Sequence, residues 1–191
     1  MLGTYIHKFV LPNGHQVFVP SASGRRAGAV VHADLLRRWR PPHYFYHLRS
    51  GGHVAALRAH LHNRCFATLD IGGFFDSVTR SKIHRALCSI GIDHGNAWDI
   101  ARESTVEKTR RKSDFSLPYG FVQSPALASL ALDRSALGRA MKVLARSNHT
   151  KLSCYVDDVI LSGVEDETVE SGRLALIEAA RLSRQPRVPN P

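Results

Sequence analysis

The chain has 191 residues, 43% of them hydrophobic and 22% charged, which excludes a disordered chain and is enough to bury a sizeable core. Its formal net charge of +10 and pI near 10.1 favour a polyanionic partner, nucleic acid before membrane, since no basic amphipathic helix with a strong apolar face is present. Three widely spaced cysteines, Cys65, Cys88 and Cys154, exclude a disulfide framework and fit a reduced, cytoplasmic setting, and neither a signal peptide nor a run of transmembrane length is expected.

Tyr5 to Leu11 and Gln16 to Val19 predict a β-hairpin around Pro12-Asn13-Gly14. Ser21 to Ala27 reads as a small basic loop with Arg25 and Arg26. Ala29 to Trp39 reads as a helix with Val30, Ala33 and Leu36 on one face. Arg37, Arg38 and Arg40 lie at its end, where cations suit the helix dipole, and Pro41-Pro42 stops it. A second helix is predicted over 53–62, with Val54, Leu57 and Leu61 aligned. His60-x-His62-x-x-Cys65 lacks the second ligand pair of a metal site.

Phe66 to Ile71 predicts a short strand ending in an acid, Asp70. Gly72-Gly73 and Phe74-Phe75-Asp76-Ser77 follow, with Asp76 expected to cap the next helix. Helices are predicted from Thr79 to Ile90 and from Asp93 or His94 to about Lys108, then a basic loop over 107–113. Leu117-Pro118-Tyr119-Gly120 predicts a turn. Ser124-Pro125 has the pattern of an N-cap and first helical residue, opening one helix that runs to about Ala145. A last helix is predicted from Glu165 to about Leu182, and 184–191 as a disordered tail.

Ahead of that last helix, Ser153 to Gly163 reads as strand, Asp157-Asp158 turn, strand. Leu152, Cys154, Val156, Val159 and Leu161 alternate, so one face of this hairpin should be buried. Adjacent acids repel one another and are costly to desolvate without a cation. They are either a solvated turn or a metal site. The order of elements implies an α+β layer, an antiparallel sheet backed by helices. There an acid ending one strand, Asp70, can face Asp157 and bridge two Mg²⁺ ions about 3.5–4 Å apart, carboxylates being the oxygen ligands that hard ions prefer.

Three segments resemble the reverse transcriptase family. Leu69-Asp70-Ile71-Gly72-Gly73-Phe74-Phe75-Asp76-Ser77 is similar to its LDIxxFFDxI motif. Leu117 to Ala128 is similar to LPQGxxxSPxLxN, and Tyr155-Val156-Asp157-Asp158 to the YxDD box. The resemblance covers residues 40–183, fits the bacterial branch of group II intron, retron and phage-defence enzymes best, and implies a right-hand polymerase palm. Partial fingers are expected over 1–60 and the palm over 61–183, without a thumb.

The resemblance implies roles. Asp70 and Asp157 are the expected principal metal ligands, with the Ile71 carbonyl as a further ligand and Asp158 as a supporting carboxylate. Mg²⁺ is the expected ion, Mn²⁺ the alternative. Phe75 stands where a bulky aromatic excludes a ribose 2′-OH, or else packs in the core. Gly120, Ser124 and Pro125 match the turn against the incoming base and template, and Tyr155 the residue near the primer end.

Two departures bear on the nucleotide. Tyr119 replaces the usual Gln, and His15 and Gln16 stand where the family places a basic residue for the triphosphate, a role open to Arg25 or Arg26. The expected partners are an RNA template, a DNA or RNA primer, dNTPs and a thumb-bearing partner chain. Three readings follow: an RNA-directed DNA polymerase, a catalytically silent nucleic-acid-binding or assembly module, and a palm-type nucleotidyl cyclase. The tandem acids and the Ser-Pro turn weigh against the last.

Overall fold

A computed structural model describes residues 4–107 and 115–184. The chain divides into two compact units, Met1–Pro41 with Gly73–Ala131, and Pro42–Gly72 with Leu132–Pro191. Sheet pairings are antiparallel in both, in the mixed helix-and-sheet class that the element order implies.

In the first unit, β1 (Tyr5–Val10) and β2 (Gln16–Pro20) form the predicted hairpin. The following helix, α1 (Ala22–Arg38), starts earlier than periodicity indicates, and the predicted loop at 21–27 forms its first turns. The Ser21 hydroxyl accepts the Gly24 N–H at 3.0 Å and so supplies the cap. The buried residues of α1 are Gly28 and Leu35, whereas Val30 is 68% exposed, so the predicted apolar face is not the packed one.

A short helix α3 (Phe74–Ser77) contains Asp76, and Thr79 rather than Asp76 is the N-cap of α4 (Arg80–Cys88). Helix α5 (His94–Glu103), capped by Asp93, packs on α4. It ends before Lys108 because the chain turns into a strand pair that periodicity does not reveal, β4 (Val106–Glu107) with β5 (Phe115–Ser116). Most of the predicted basic loop at 107–113 lies outside the described residues, as does the tail beyond Arg184. Phe18, Val106 and Phe121 form a buried cluster.

In the second unit, β3 (Cys65–Asp70), β6 (Thr150–Tyr155) and β7 (Asp158–Gly163) make one sheet with β7 in the middle. Helices α7 (Ala136–Arg146) and α8 (Asp166–Arg184) pack on it. Leu152, Cys154, Val159 and Leu161 are buried, as their alternation predicts, and so is Ala67, whereas Val156, expected on the same face, is only half-buried because it lies in the turn. Helix α2 (Gly52–Arg58) buries Ala56 but leaves Val54, Leu57 and the nearby Leu61 exposed, contrary to the predicted core face.

The long helix expected from Ser124 to Ala145 is two, α6 (Ser124–Asp133) and α7. Ser135 causes the break by capping the Gly138 N–H at 3.1 Å. A Cβ on Gly138 would meet the Leu132 carbonyl oxygen at 2.1 Å, so only glycine allows this close approach. Among the described residues, no helix is long and apolar enough to cross a membrane.

Candidate active site

The acidic hairpin is a two-residue turn. Tyr155 pairs with Asp158, leaving Val156 and Asp157 as its central residues. The expected Asp-Asp turn is therefore a Val-Asp turn, and Asp158 is the first residue of the return strand. Val156 has φ of 60°, the positive value found among described non-glycine residues at this position alone. Positive φ at the first central residue, with the second negative, defines the II′ class of hairpin turn, where glycine normally stands. A β-branched side chain there is strained.

Strand register sets where the acids point. Asp70 lies directly opposite Asp158, and Asp158 directly opposite Tyr155, so the three form a row across one face of the sheet. All three are exposed. Asp157 is half-buried in the turn, and its carbonyl accepts the Ile71 N–H at 3.0 Å, tying the strand that carries Asp70 to the turn. Tyr155 also has the His47 and His53 rings against it edge-on, at 5.9 and 6.1 Å.

Like charges placed opposite on neighbouring strands destabilise a sheet unless a cation lies between them. Carboxylate oxygens suit Mg²⁺ or Mn²⁺ chemically. Among the described residues, no group of three or more His, Cys, Asp or Glu side chains converges closely enough to hold a metal ion by itself. The donor set thus fits a hard divalent ion in kind, with a pair of facing carboxylates as its core.

Two histidines that sequence patterns do not single out for this role support the hairpin. His47 Nδ1 accepts the Val156 N–H at 2.9 Å, and burial pushes its pKa down to about 4, keeping the ring neutral. His60 is buried on the sheet face, with Nδ1 2.6 Å from the Ser162 hydroxyl and Nε2 2.8 Å from that of Ser153. Both its ring nitrogens are occupied, which excludes it from a metal site with His62 and Cys65. Behind the acids, burial raises the Cys154 thiol well above its ordinary pKa, and the charges of Asp157 and Asp158 add to this.

In the first unit, Tyr119 packs between two rings. Phe75 meets it edge-on at 4.8 Å and His15 lies tilted at 4.8 Å. Phe75 is buried, with Phe74 a further neighbour at 5.5 Å. The Phe18 N–H donates to the Tyr119 carbonyl at 2.9 Å, which fixes the Leu117–Gly120 turn on β2. Gly120 has φ of +101°, and a Cβ there would meet the Phe18 carbonyl oxygen at 2.3 Å. Ser124 starts α6 with its hydroxyl buried and without a hydrogen-bond partner among the described residues, so it does not serve as the predicted cap, and Pro125 is half-buried.

The arginines divide into two groups. Arg37 and Arg38 both bind the Asp34 carboxylate, Arg38 Nε at 2.9 Å, and the Arg37 hydrogen bond is the main cause of the lowered Asp34 pKa. Arg25, Arg26 and Arg40 are exposed.

No curated protein matches the chain. A family model described as reverse transcriptase (RNA-dependent DNA polymerase) matches residues 11–183, a span that contains Phe75, the Tyr119–Gly120 turn and the row of acids alike. On that match, the chain belongs to the reverse transcriptase family.

Proposed function

We propose that this protein is an RNA-directed DNA polymerase that adds dNTPs to a primer 3′-OH by two-metal nucleotidyl transfer. The observation carrying this is the facing pair Asp70 and Asp158, with Asp157 in the turn beside them, in a chain that matches the family along 11–183. Asp70, Asp157, Asp158 and the Ile71 carbonyl would hold the ions. Mg²⁺ held there would lower the pKa of the attacking hydroxyl and offset charge on the leaving pyrophosphate.

The protein's own residues have the remaining work. The antiparallel ladder fixes Asp70 and Asp158 on one face, so little reorganisation is needed when a triphosphate arrives. Phe75, wedged by Phe74 and Tyr119, is held rigidly enough to act as the barrier to a ribose 2′-OH. Gly120 in its turn, with Ser124 and Pro125 at the start of α6, would support the base pair, and Tyr155 would border the primer end. Exposed arginines such as Arg25 and Arg26 contribute sequence-independent phosphate contacts, consistent with the net charge of +10.

The test is primer extension by the full chain on an RNA template, comparing dNTPs with NTPs. Extension that needs Mg²⁺ or Mn²⁺, prefers dNTPs and is abolished by Asp70→Ala and by Asp157→Ala supports the proposal. Absence of extension, together with metal-independent RNA binding that both substitutions leave intact, would leave a nucleic-acid-binding module instead.

A further inference from the structure

We infer that His47 is the positioning residue of the acidic turn, holding Val156 in a backbone form that valine resists and so fixing where Asp157 and Asp158 stand. The inference rests on the proposed polymerase function for its purpose, but its structural basis is independent of it. Valine at φ of 60° has its Cβ crowded against the backbone, and the II′ turn it occupies is one that glycine adopts freely. A conformation of this kind persists where the surroundings over-determine it. The turn's neighbours within this unit must therefore supply that restraint.

His47 meets the turn at its strained residue. Its Nδ1 takes the Val156 N–H at 2.9 Å, and the ring also hydrogen-bonds the Cys154 backbone, one residue before Tyr155. Accepting an N–H at Nδ1 requires the neutral ring with its proton on Nε2. The ring is itself clamped, edge-on to Phe45 at 5.9 Å and to Tyr155 at 5.9 Å.

The segment carrying His47 is anchored to β6 by its backbone. The Cys154 N–H donates to the Tyr44 carbonyl at 2.8 Å, and Phe45 forms a parallel bridge with Cys154. Phe45 N–H in turn bonds the Pro42 carbonyl at 3.0 Å, and His47 lies in a single 3₁₀ turn, Tyr46–Leu48. Two residues separated by 109 positions are thus locked by an acceptor that reaches the first central residue of the turn.

The experiment is a substitution cycle on the full chain, read by amide hydrogen exchange at residue 156 and by Mn²⁺ binding without nucleic acid. His47→Phe keeps the ring but removes the acceptor; His47→Asn places an amide oxygen near the Nδ1 position. We expect His47→Phe to speed exchange at Val156 by about tenfold or more and to weaken Mn²⁺ binding by about tenfold. His47→Asn should retain most of both.

Val156→Gly, combined with His47→Phe, should restore Mn²⁺ affinity to that of Val156→Gly alone, because glycine needs no brace at this φ. A residue that merely fills volume would not be rescued by a change of backbone preference at a different position. Unchanged exchange at Val156 in His47→Phe, or failure of Val156→Gly to restore Mn²⁺ binding, overturns the inference. Absence of Mn²⁺ binding by the unsubstituted protein would leave the polymerase reading to primer extension, and the exchange measurement would still decide the brace.

Discussion

Asp70 and Asp158 face each other across adjacent antiparallel strands, two exposed carboxylates in one register position. A sheet selected for stability alone would place opposite charges there, since such pairs contribute and like pairs cost a few tenths to about 1 kcal/mol.

Neutralising one member should therefore separate stability from function. Asp70→Asn should raise the thermal midpoint in metal-free buffer, by an amount corresponding to at most about 1 kcal/mol. The same variant should lose dNTP incorporation by roughly a thousandfold or more, the scale expected when a preorganised charge at a reaction centre is removed. Added Mg²⁺ should raise the midpoint of the unsubstituted protein and leave that of Asp70→Asn unmoved. Calorimetry with and without Mg²⁺ checks this.

Two glycines with left-handed backbones should respond differently to alanine. Gly120 has φ of +101° and the Phe18 carbonyl oxygen 2.3 Å from its would-be Cβ, whereas Gly91 has φ of +84° and nothing within 4 Å. Gly91→Ala should cost about 1–2 kcal/mol, the backbone term alone. Gly120→Ala should cost roughly 3 kcal/mol or more, because the carbonyl must also move. Urea denaturation of the two variants distinguishes them.

Acid should destabilise the fold before its carboxylates titrate. Burial lowers the pKa of both His47, to about 4, and His60 below the ordinary histidine value. Between pH 6.5 and 4 the unfolded chain takes up protons that the folded chain refuses, so stability is lost as pH falls through this window. His60→Gln should reduce this dependence, while lowering stability at pH 8 by about 1–3 kcal/mol because the Ser153 and Ser162 hydroxyls lose partners. Thermal midpoints from pH 8 to pH 5 provide the comparison.

Thiol chemistry should spare the residue next to the acids. Cys154 is buried with its pKa raised, whereas Cys65 and Cys88 are partly exposed. Iodoacetamide should label Cys65 and Cys88 in the folded protein and Cys154 only after unfolding. Peptide mass spectrometry against time reads the order directly.

Much of the sheet could be read from alternation, since Leu152, Cys154, Val159 and Leu161 are buried where period-two spacing puts them. Helix limits were less legible because they depend on side chains that act locally. Ser21 starts α1 by capping Gly24, and Ser135 divides a continuous apolar pattern by capping Gly138. Spacing also cannot tell a packed stripe from an exposed one, as Val30, Val54, Leu57 and Leu61 show. The acids themselves were visible as motifs. Their register was not, because which aspartate faces Asp70 depends on whether the turn begins at Val156 or Asp157. His47 left no signal, since nothing local connects it with a residue 109 positions away.

The central place of β7 has a consequence for motion. Asp158 begins the strand that is hydrogen-bonded on both sides, so its backbone cannot shift without carrying β3 and β6 along. Asp70 ends a flanking strand and is followed at once by Ile71 and two glycines, where the ladder stops. The Ile71 N–H bond to the Asp157 carbonyl ties that end to the same turn, so the gap between the two carboxylates is set by their side-chain rotamers and not by sliding of either backbone.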